Sequence, residues 1–292
     1  KKRNGEDEIM KKATEVMHNQ GSQNSYQYII IDEYQDTSYI RFTLVKEILE
    51  KNNAKLMVVG DDFQSIYRFT GCDLSLFIYF TNYFKDAKIM KIQNTYRNSQ
   101  ELIKVAGDFV MKNKKQISKK LRSHKTLEKP IQIIYYHNLK ECFKELIIEI
   151  YQSTKKSILV LGRNNKDVQL ILDKCFELKE DGTIIYKLDT NIKLYYLTAH
   201  KSKGLEEENV IIINLVDSYL GFPNQIKDDK VLRFVSKNHE KYSFSEERRL
   251  FYVALTRTKN YVYLLVPFKN PSIFVSELIH DYSKMIMIHK YK

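Results

Sequence analysis

Residues 28–38 read YIIIDEYQDTS, a short apolar run that leads directly into the adjacent carboxylates of Asp32 and Glu33. An apolar run without alternation is typical of a strand that is buried on both faces of a parallel sheet. In open parallel sheets, ligands bind beyond the carboxyl ends of the strands. The stretch therefore predicts a buried strand that delivers two carboxylates to a binding crevice. The competing interpretation is an acidic pair that only caps the following helix.

These two carboxylates suit nucleotide hydrolysis. Asp32 has the shorter side chain and can hold Mg²⁺, whereas Glu33 can reach a water and take its proton. A second apolar run, within VVGDDFQSIYRFTG at 58–71, also ends in carboxylates and is followed by Gln64. A glutamine in this position can sense a γ-phosphate or hold the attacking water. Two strand ends with this chemistry favour a nucleotide site more than one does.

An aromatic and basic run follows Gln64, made of Tyr67, Arg68 and Phe69. Aromatic side chains stack on bases at roughly 1–3 kcal/mol each, so the run predicts nucleic-acid contact, and the alternative is that these rings belong to the core. The net charge of +12 also indicates a polyanionic partner. The most basic stretch, 111–129, is either DNA-contacting or an ordinary solvated surface.

Segments with strand and helix patterns alternate along the chain, which predicts an α/β protein with a mostly parallel sheet. Fully buried strands are expected at 26–33 and 54–62, and a third strand at 87–97. A helix is expected at 166–177, and another over 6–20 with one apolar face.

Three widely spaced cysteines and the lack of any apolar run near ~18 residues indicate neither a disulfide framework nor a membrane span. We therefore expect a reducing cytoplasm, with the protein on the nucleoid when it is engaged with DNA.

Five segments occur in a fixed order along the chain: IIIDEYQDTS, VVGDDFQSIYRFTG, NTYRNSQEL, YYLTAHKSKGLEEENVIII and EERRLFYVALTRTKNYVYLL. They resemble motifs II to VI of superfamily 1A helicases, the UvrD/Rep group, and are most similar to its bacterial DNA helicase IV branch. The resemblance covers nearly the whole chain from about residue 26 onward. Five ordered motifs are far more specific than any single one.

The resemblance implies a RecA-like P-loop NTPase fold with one incomplete and one complete domain. Residues 1–94 are expected to be the remainder of the first RecA-like domain, and 1–25 the tail of its inserted helical subdomain. Residues 95–292 are expected to be the second domain.

The cofactors are expected to be ATP and Mg²⁺, with ATP in the cleft between the domains. The DNA partner is expected to be single-stranded DNA or a 3′-tailed duplex, traversed 3′ to 5′. Only roughly 100 residues lie between Arg97 and His200, which leaves no room for a large 2B insertion.

The resemblance also assigns roles on the nucleotide side. Asp32 is similar to the Mg²⁺ ligand and Glu33 to the catalytic base, and Gln64 is similar to the γ-phosphate sensor. The remaining positions are Tyr96 for adenine stacking, Arg97 for the γ-phosphate, Glu206 for the ribose and Arg257 for the arginine finger. Arg257 is expected toward a strand end. Surface ion pairing of the arginines with Glu246–Glu247 or with Asp189 is the alternative.

On the DNA side, the matching positions are Tyr67, Arg68, Phe69, Thr198 and His200. Phe69 stands where UvrD-like members usually have Trp, so this stacking contact is expected to persist but weaken. A single His near a strand end is often structural, and the family motif is what favours a DNA role for His200. Beside it, Lys201, Lys203 and Gly204 form a short basic turn that could hold a phosphate, and Gly204 is expected among the residues that bind the nucleotide.

The chain contains no G-x-x-x-x-G-K-[ST] sequence, so it lacks the loop that cradles nucleotide phosphates. In this family that Walker A loop lies upstream of the Asp-Glu motif. We therefore expect the chain to be the C-terminal part of a longer helicase and to hydrolyse essentially no ATP alone. Two alternatives stay open: a non-enzymatic DNA-binding scaffold of helicase ancestry, and a subunit of a nuclease-helicase complex.

Overall fold

The computed structural model describes residues 2–21, 24–226 and 242–290. These residues form two compact units, of which the first runs to Met90 and the second starts at Lys91. The second unit contains a large sheet that is mainly parallel and flanked by helices. The predicted α/β fold class is therefore confirmed.

The first unit is built around two parallel strands that pair from Tyr28 with Lys55 to Ile31 with Val58. Its elements are α1 (Lys2–Gln20), β1 (Tyr28–Ile31), α2 (Tyr39–Asn52), β2 (Lys55–Val58), α3 (Ser75–Ile78) and α4 (Phe80–Tyr83). Ser38 caps helix α2, because its hydroxyl accepts a hydrogen bond from the Arg41 amide at 3.4 Å. Helix α1 packs against α2. Its predicted apolar face is only partly covered, since Ile9 and Val16 are exposed.

The prediction that β1 and β2 are buried on both faces is wrong for the described residues. Ile30 is 69% exposed and Met57 is 58% exposed, and both strands alternate between exposed and half-buried side chains. The expected third strand at 87–97 is also wrong, because this segment forms no strand ladder and leaves Ile89 exposed. Both errors have one cause: an apolar run becomes a buried strand only where neighbouring strands and helices cover it.

The second unit contains an eight-stranded sheet in the order β10-β3-β9-β8-β4-β7-β6-β5 among the described residues. Its strands are β3 (Ile131–Tyr136), β4 (Ile158–Gly162), β5 (Phe176–Leu178), β6 (Thr183–Tyr186), β7 (Lys193–Thr198), β8 (Glu207–Ile212), β9 (Thr258–Pro267) and β10 (Ile286–Lys290). Its helices are α5 (Gln100–Met111), α6 (Leu139–Thr154), α7 (Ser245–Leu255) and α8 (Ile273–Tyr282). The pairings of β5 with β6 and of β6 with β7 are antiparallel, and the others are parallel.

The helix predicted at 166–177 is wrong. A short 3₁₀ helix runs from Asn165 to Leu170, and the chain then enters β5 at Phe176. Between them, the Asp173 carboxylate accepts a hydrogen bond from the Cys175 amide at 2.8 Å, which makes a local turn where a helix would need its own backbone bonds. Phe176 then packs on the ring of Tyr186 in the neighbouring strand, so tertiary packing overrides the helical pattern.

Because β4, β7, β8 and β9 run parallel, their first residues lie along one edge of the sheet and their last residues along the other. We call these the amino edge and the carboxyl edge of the second unit. The central strands are closely covered, and every residue of β4 is buried. This sheet positions the candidate residues of the second unit.

Candidate functional site

In the first unit, Asp32 and Glu33 follow β1 directly, as the sequence predicts. The Glu33 amide donates to Asp32 Oδ1 at 2.8 Å, and both residues are exposed. Glu33 has a φ of 51°, in the left-handed region that costs a non-glycine residue about 1 kcal/mol. The turn after β1 therefore holds the Glu33 side chain in a specific direction at some conformational cost.

Gln35 is a further residue of this site that the sequence reasoning missed. It is fully buried, its Nε2 donates to Glu33 Oε2 at 2.5 Å, and its Oε1 accepts from the Asp61 amide at 2.9 Å. Gly60 lies close beside it, and a Cβ at that position would lie 2.5 Å from Gln35 Oε1, so a larger residue would displace the Gln35 amide. Gln35 thus joins the end of β1 to the end of β2. The available signal was a glutamine two residues after Glu33 within DEYQD.

Gln64 lies at the same end of the two-stranded sheet. Its Nε2 donates to Asp61 Oδ2 at 2.8 Å, and Asp61 Oδ1 accepts from the Phe63 amide at 3.0 Å. A chain of hydrogen bonds therefore runs from Glu33 through Gln35 and Asp61 to Gln64. The residues predicted to act on water and on a γ-phosphate are brought together in one network.

The aromatic and basic run adjoins this network as a short 3₁₀ helix from Arg68 to Thr70. Tyr67 and Phe69 contact each other edge to face, with ring centroids 6.1 Å apart. Phe69 is exposed, whereas Tyr67 and Arg68 are half-buried. The alternative that all these rings are core therefore does not hold for Phe69.

The described residues contain no group of three or more His, Cys, Asp or Glu side chains that could hold a metal ion. Mg²⁺ usually keeps several waters and is bound by one or two carboxylates together with substrate phosphates. Asp32, exposed at a strand end and with one oxygen fixed by the Glu33 amide, fits a metal that arrives with a nucleotide. The residues present therefore fit Mg²⁺ in that form.

In the second unit, three segments distant in sequence meet at the amino edge: 96–98, 205–207 and 256–258. Asn98, which is buried, donates from Nδ2 to the carbonyl oxygens of Thr256 at 3.1 Å and Thr258 at 2.6 Å. The Glu207 amide donates to the Arg257 carbonyl at 2.9 Å. Asn98 was not predicted as a site residue, yet it attaches the segment that carries Tyr96 to the start of β9.

Two predicted residues pair with each other at this edge. Arg97 Nε lies 2.5 Å from Glu206 Oε2, and Lys259 Nζ lies 3.2 Å from the other oxygen of Glu206. Hydrogen bonds from Arg97 and then from Lys259 lower the pKa of Glu206 below its ordinary value. The alternative partners proposed from the sequence are wrong for Arg97, whose ion pair is with Glu206. Tyr96 beside it is 82% exposed and is free to meet a planar ligand.

Arg257 is only 1% exposed, and its guanidinium donates to two backbone carbonyl groups. Nε donates to the Val253 carbonyl at 2.9 Å and one terminal nitrogen donates to the Leu205 carbonyl at 3.1 Å. The expectation that Arg257 lies toward a strand end is wrong, because it directly precedes β9. It lies at the amino edge with Arg97 and Glu206, and its guanidinium must leave these carbonyls to reach a phosphate.

The predicted DNA residues Thr198 and His200 lie at the opposite edge. Thr198 is the last residue of β7 and is paired with Gly162 of β4, at the carboxyl edge. Its hydroxyl accepts from the Lys201 amide at 3.3 Å, and His200 is half-buried. Gly204 has a φ of 85°, which suits glycine, in the turn that returns the chain to β8 at the amino edge.

Two lysines of the basic stretch 111–129 serve the fold. Lys112 pairs with Glu277 at 2.7 Å and with Asp281. Lys125 Nζ donates to the Lys259 carbonyl and to Asn260 Oδ1, both at 2.7 Å. These two cations therefore have structural partners, which favours the structural interpretation at both positions.

Known proteins have sequences similar to that of this chain. The UvrD/REP helicase N-terminal domain matches residues 6–85, and the UvrD-like helicase C-terminal domain matches residues 177–267. DNA helicase IV of Escherichia coli is 31% identical over 254 residues, which are 87% of this chain and 36% of that protein. ATP-dependent DNA helicase Rep of Buchnera aphidicola subsp. Schizaphis graminum is 26% identical over 301 residues, 95% of this chain and 44% of that protein.

The order of these two domains, in an α/β chain with acidic strand ends, defines the class of protein. The chain belongs to the UvrD/Rep helicase family. It spans between about a third and a half of the length of these two relatives. Within the described residues, no helix is both long enough and apolar enough to span a bilayer.

Proposed function

We propose that this chain is part of an ATP-dependent DNA helicase that moves 3′ to 5′ along single-stranded DNA. The observation that carries the proposal is the grouping of the predicted nucleotide residues. Glu33 and Gln64 share one hydrogen-bond network, and Arg97, Glu206 and Arg257 meet at one edge of a sheet. A chain without ATP chemistry has no physical need for these groupings.

In this proposal Asp32 holds Mg²⁺ bound to ATP, and Glu33 accepts the proton of the attacking water. Gln35 holds the Glu33 carboxylate in place, and its bond to the Asp61 amide ties that carboxylate to the strand end beside Gln64. A base fixed in this way is effective because it loses little orientation freedom when water arrives. Bound Mg²⁺ would neutralise the charge that develops on the phosphates.

Arg97 and Arg257 supply positive charge to the γ-phosphate in the same proposal, and Tyr96 stacks on the adenine. Arg97 is paired with Glu206 and Arg257 is bonded to carbonyl groups, so both cations are withheld in the described arrangement. A nucleotide can compete for Arg257 because charge-assisted bonds to phosphate are stronger than bonds to neutral carbonyls. It can compete for Arg97 because its phosphates carry more negative charge than the single carboxylate of Glu206. Glu206 released from Arg97 could then meet the ribose hydroxyls.

On the DNA side, we propose that Phe69 stacks on a base and that Tyr67, Arg68, Thr198 and His200 line the path of the strand. Support comes from the exposure of Phe69 and from the position of Thr198 at the carboxyl edge, where ligands of parallel sheets commonly bind. Lys201 follows within the same turn and can contact phosphate. In this proposal the helicase acts in the cytoplasm on chromosomal DNA.

The test uses the full-length protein that contains this chain. Duplexes with a 3′ or a 5′ single-stranded tail are incubated with ATP and Mg²⁺, and strand separation is followed by fluorescence. We expect separation of the 3′-tailed duplex only, and its loss in Glu33→Gln. DNA binding without any ATP-dependent separation would instead support a scaffold, and unwinding from a 5′ tail would contradict the direction.

A second measurement concerns the chain alone. Because it has no G-x-x-x-x-G-K-[ST] loop, we propose that it needs an upstream segment carrying Walker A and hydrolyses essentially no ATP by itself. Phosphate release from the purified chain with Mg²⁺ and single-stranded DNA measures this. A steady rate that disappears in Glu33→Gln would contradict the proposal.

A further inference from the structure

Helix α7 connects the two edges of the sheet in the second unit. Its first turn contains Glu247, and the chain reaches Arg257 and the start of β9 directly after its last residue. The helix has 11 residues, which corresponds to about 16 Å of rise. A rigid element of this length can pass a displacement from one edge of the sheet to the other.

An ion pair fixes the first turn of α7 to the carboxyl edge. Arg163, the residue after β4, donates from Nε to both oxygens of Glu247 at 3.0 Å and from a terminal nitrogen to Oε1 at 2.7 Å. Glu247 Oε2 also accepts from the Asn224 amide at 2.9 Å. The Arg163 and Glu247 side chains are both mostly buried. A forked guanidinium bound to both oxygens fixes the orientation as well as the distance of its partner.

The turn that carries Arg163 is joined to the strand that carries the proposed DNA contacts. Gly162, the preceding residue, is the register partner of Thr198. The Tyr196 hydroxyl, on the same strand as Thr198, donates to the Asn164 carbonyl at 2.5 Å. A shift of the β7 end on DNA binding would therefore carry Arg163 with it.

We propose that the Arg163–Glu247 ion pair is a positioning device that couples DNA contact at the carboxyl edge to Arg257 at the amino edge, through α7. The inference rests on the proposed function. Arg257 bonds through Nε to the carbonyl of Val253, which belongs to α7, so a movement of the helix moves an acceptor of that guanidinium. Neither member of the ion pair needs to touch DNA or nucleotide. They act by keeping the helix in register with the strand ends.

The chain offers a matched control on the same helix. Arg248, the next residue along α7, makes an equally direct pair with Glu277 of α8, with bonds of 2.8 and 2.7 Å. This pair is also mostly buried. It joins α7 to another helix rather than to the strand ends at the carboxyl edge, and Glu277 also pairs with Lys112 at the end of α5. Its loss should reduce stability without disturbing the coupling.

The experiment measures ATP hydrolysis by the full-length protein with and without saturating single-stranded DNA, together with DNA affinity and melting temperature. The variants are Glu247→Gln, Arg163→Gln, the charge exchange Arg163→Glu with Glu247→Arg, and the control Glu277→Gln. We expect the two single variants to lower the stimulation by DNA about 5- to 150-fold, the usual range of coupling between two sites, at an unchanged DNA-free rate. The charge exchange should recover part of the stimulation.

Three outcomes separate the explanations. If DNA stimulates hydrolysis by the wild type and by both single variants equally, the coupling role is overturned and the proposed function still stands. An equal loss of stimulation in Glu277→Gln would also overturn it, because any weakening of α7 would then suffice. A wild type whose hydrolysis is not stimulated by DNA would overturn the proposed function and the coupling role together.

Discussion

The proposed nucleotide residues of the first unit follow a strand, whereas those of the second unit meet where two strands begin. Asp32 and Glu33 come directly after β1, where ligands of parallel sheets usually bind. Arg97, Glu206 and Arg257 meet where β8 and β9 begin. The rule that ligands bind beyond the carboxyl ends of parallel strands therefore fits the position of the proposed acidic pair and does not fit that of the proposed arginine cluster. What assembles the second group is the buried Asn98 and a set of backbone hydrogen bonds.

The largest expected effect tests the second group. In the full-length protein, Arg257→Ala should lower the rate of ATP turnover about 10³- to 10⁵-fold, the range for an arginine that stabilises a transferring phosphoryl group. DNA affinity should be unchanged, as measured by fluorescence anisotropy with a labelled oligonucleotide. Arg257→Lys is the companion variant, since it keeps the charge but not the forked geometry. Equal loss of turnover and DNA binding, with a lower melting temperature, would assign Arg257 to folding.

The next effect tests the first group. Glu33→Gln should lower turnover about 10²- to 10⁴-fold, because the amide cannot accept the proton of the attacking water. The amide oxygen can still accept the bond from Gln35, so nucleotide affinity should change little. Glu50→Gln, in an exposed pair with Lys46 on α2, is the matched carboxylate control. A rate for Glu33→Gln as high as that of Glu50→Gln would show that the acidic pair only caps the turn.

A smaller effect tests what holds the arginine cluster together. Asn98→Ala should lower the free energy of unfolding of the chain by about 2 kcal/mol, because two buried carbonyl groups lose their donor. Urea unfolding followed by circular dichroism measures this. Asn260→Ala removes a half-buried amide of β9 that bonds to Glu208 and Lys125, and it should cost less because these partners are partly exposed. Equal costs for the two variants would mean that Asn98 has no special place in the assembly.

The smallest effect concerns pH. The lowered pKa of Glu206 means that its pairing with Arg97 and Lys259 stabilises the fold above the ordinary carboxyl value of 4.5, and that this stability is lost as the pH falls through the lowered pKa. The side chains are partly exposed, so the contribution should stay below about 1 kcal/mol after screening by solvent. The free energy of unfolding should therefore change slightly less between about pH 7 and about pH 3 in Glu206→Gln than in the wild type. An unchanged difference would contradict the pairing in solution.

Sequence patterns predicted the fold class and the positions of β1 and β2, because these depend on local periodicity. They failed at 166–177, where packing of Phe176 decides, and at β1, where burial depends on neighbouring elements. The acidic pair could be recognised from its place after an apolar run. The roles of Asn98 and Gln35 could not, because a buried amide is identified by its partners across the fold.

The most direct test of the account is amide hydrogen exchange of the full-length protein with and without a non-hydrolysable ATP analogue and Mg²⁺. We expect the analogue to slow exchange in peptides that cover the strand end at 32–35. It should also slow exchange in peptides that cover 96–98, 205–207 and 256–258. Protection of the first region alone, with no change in the other three, would contradict the central claim that both groups of residues serve the same nucleotide.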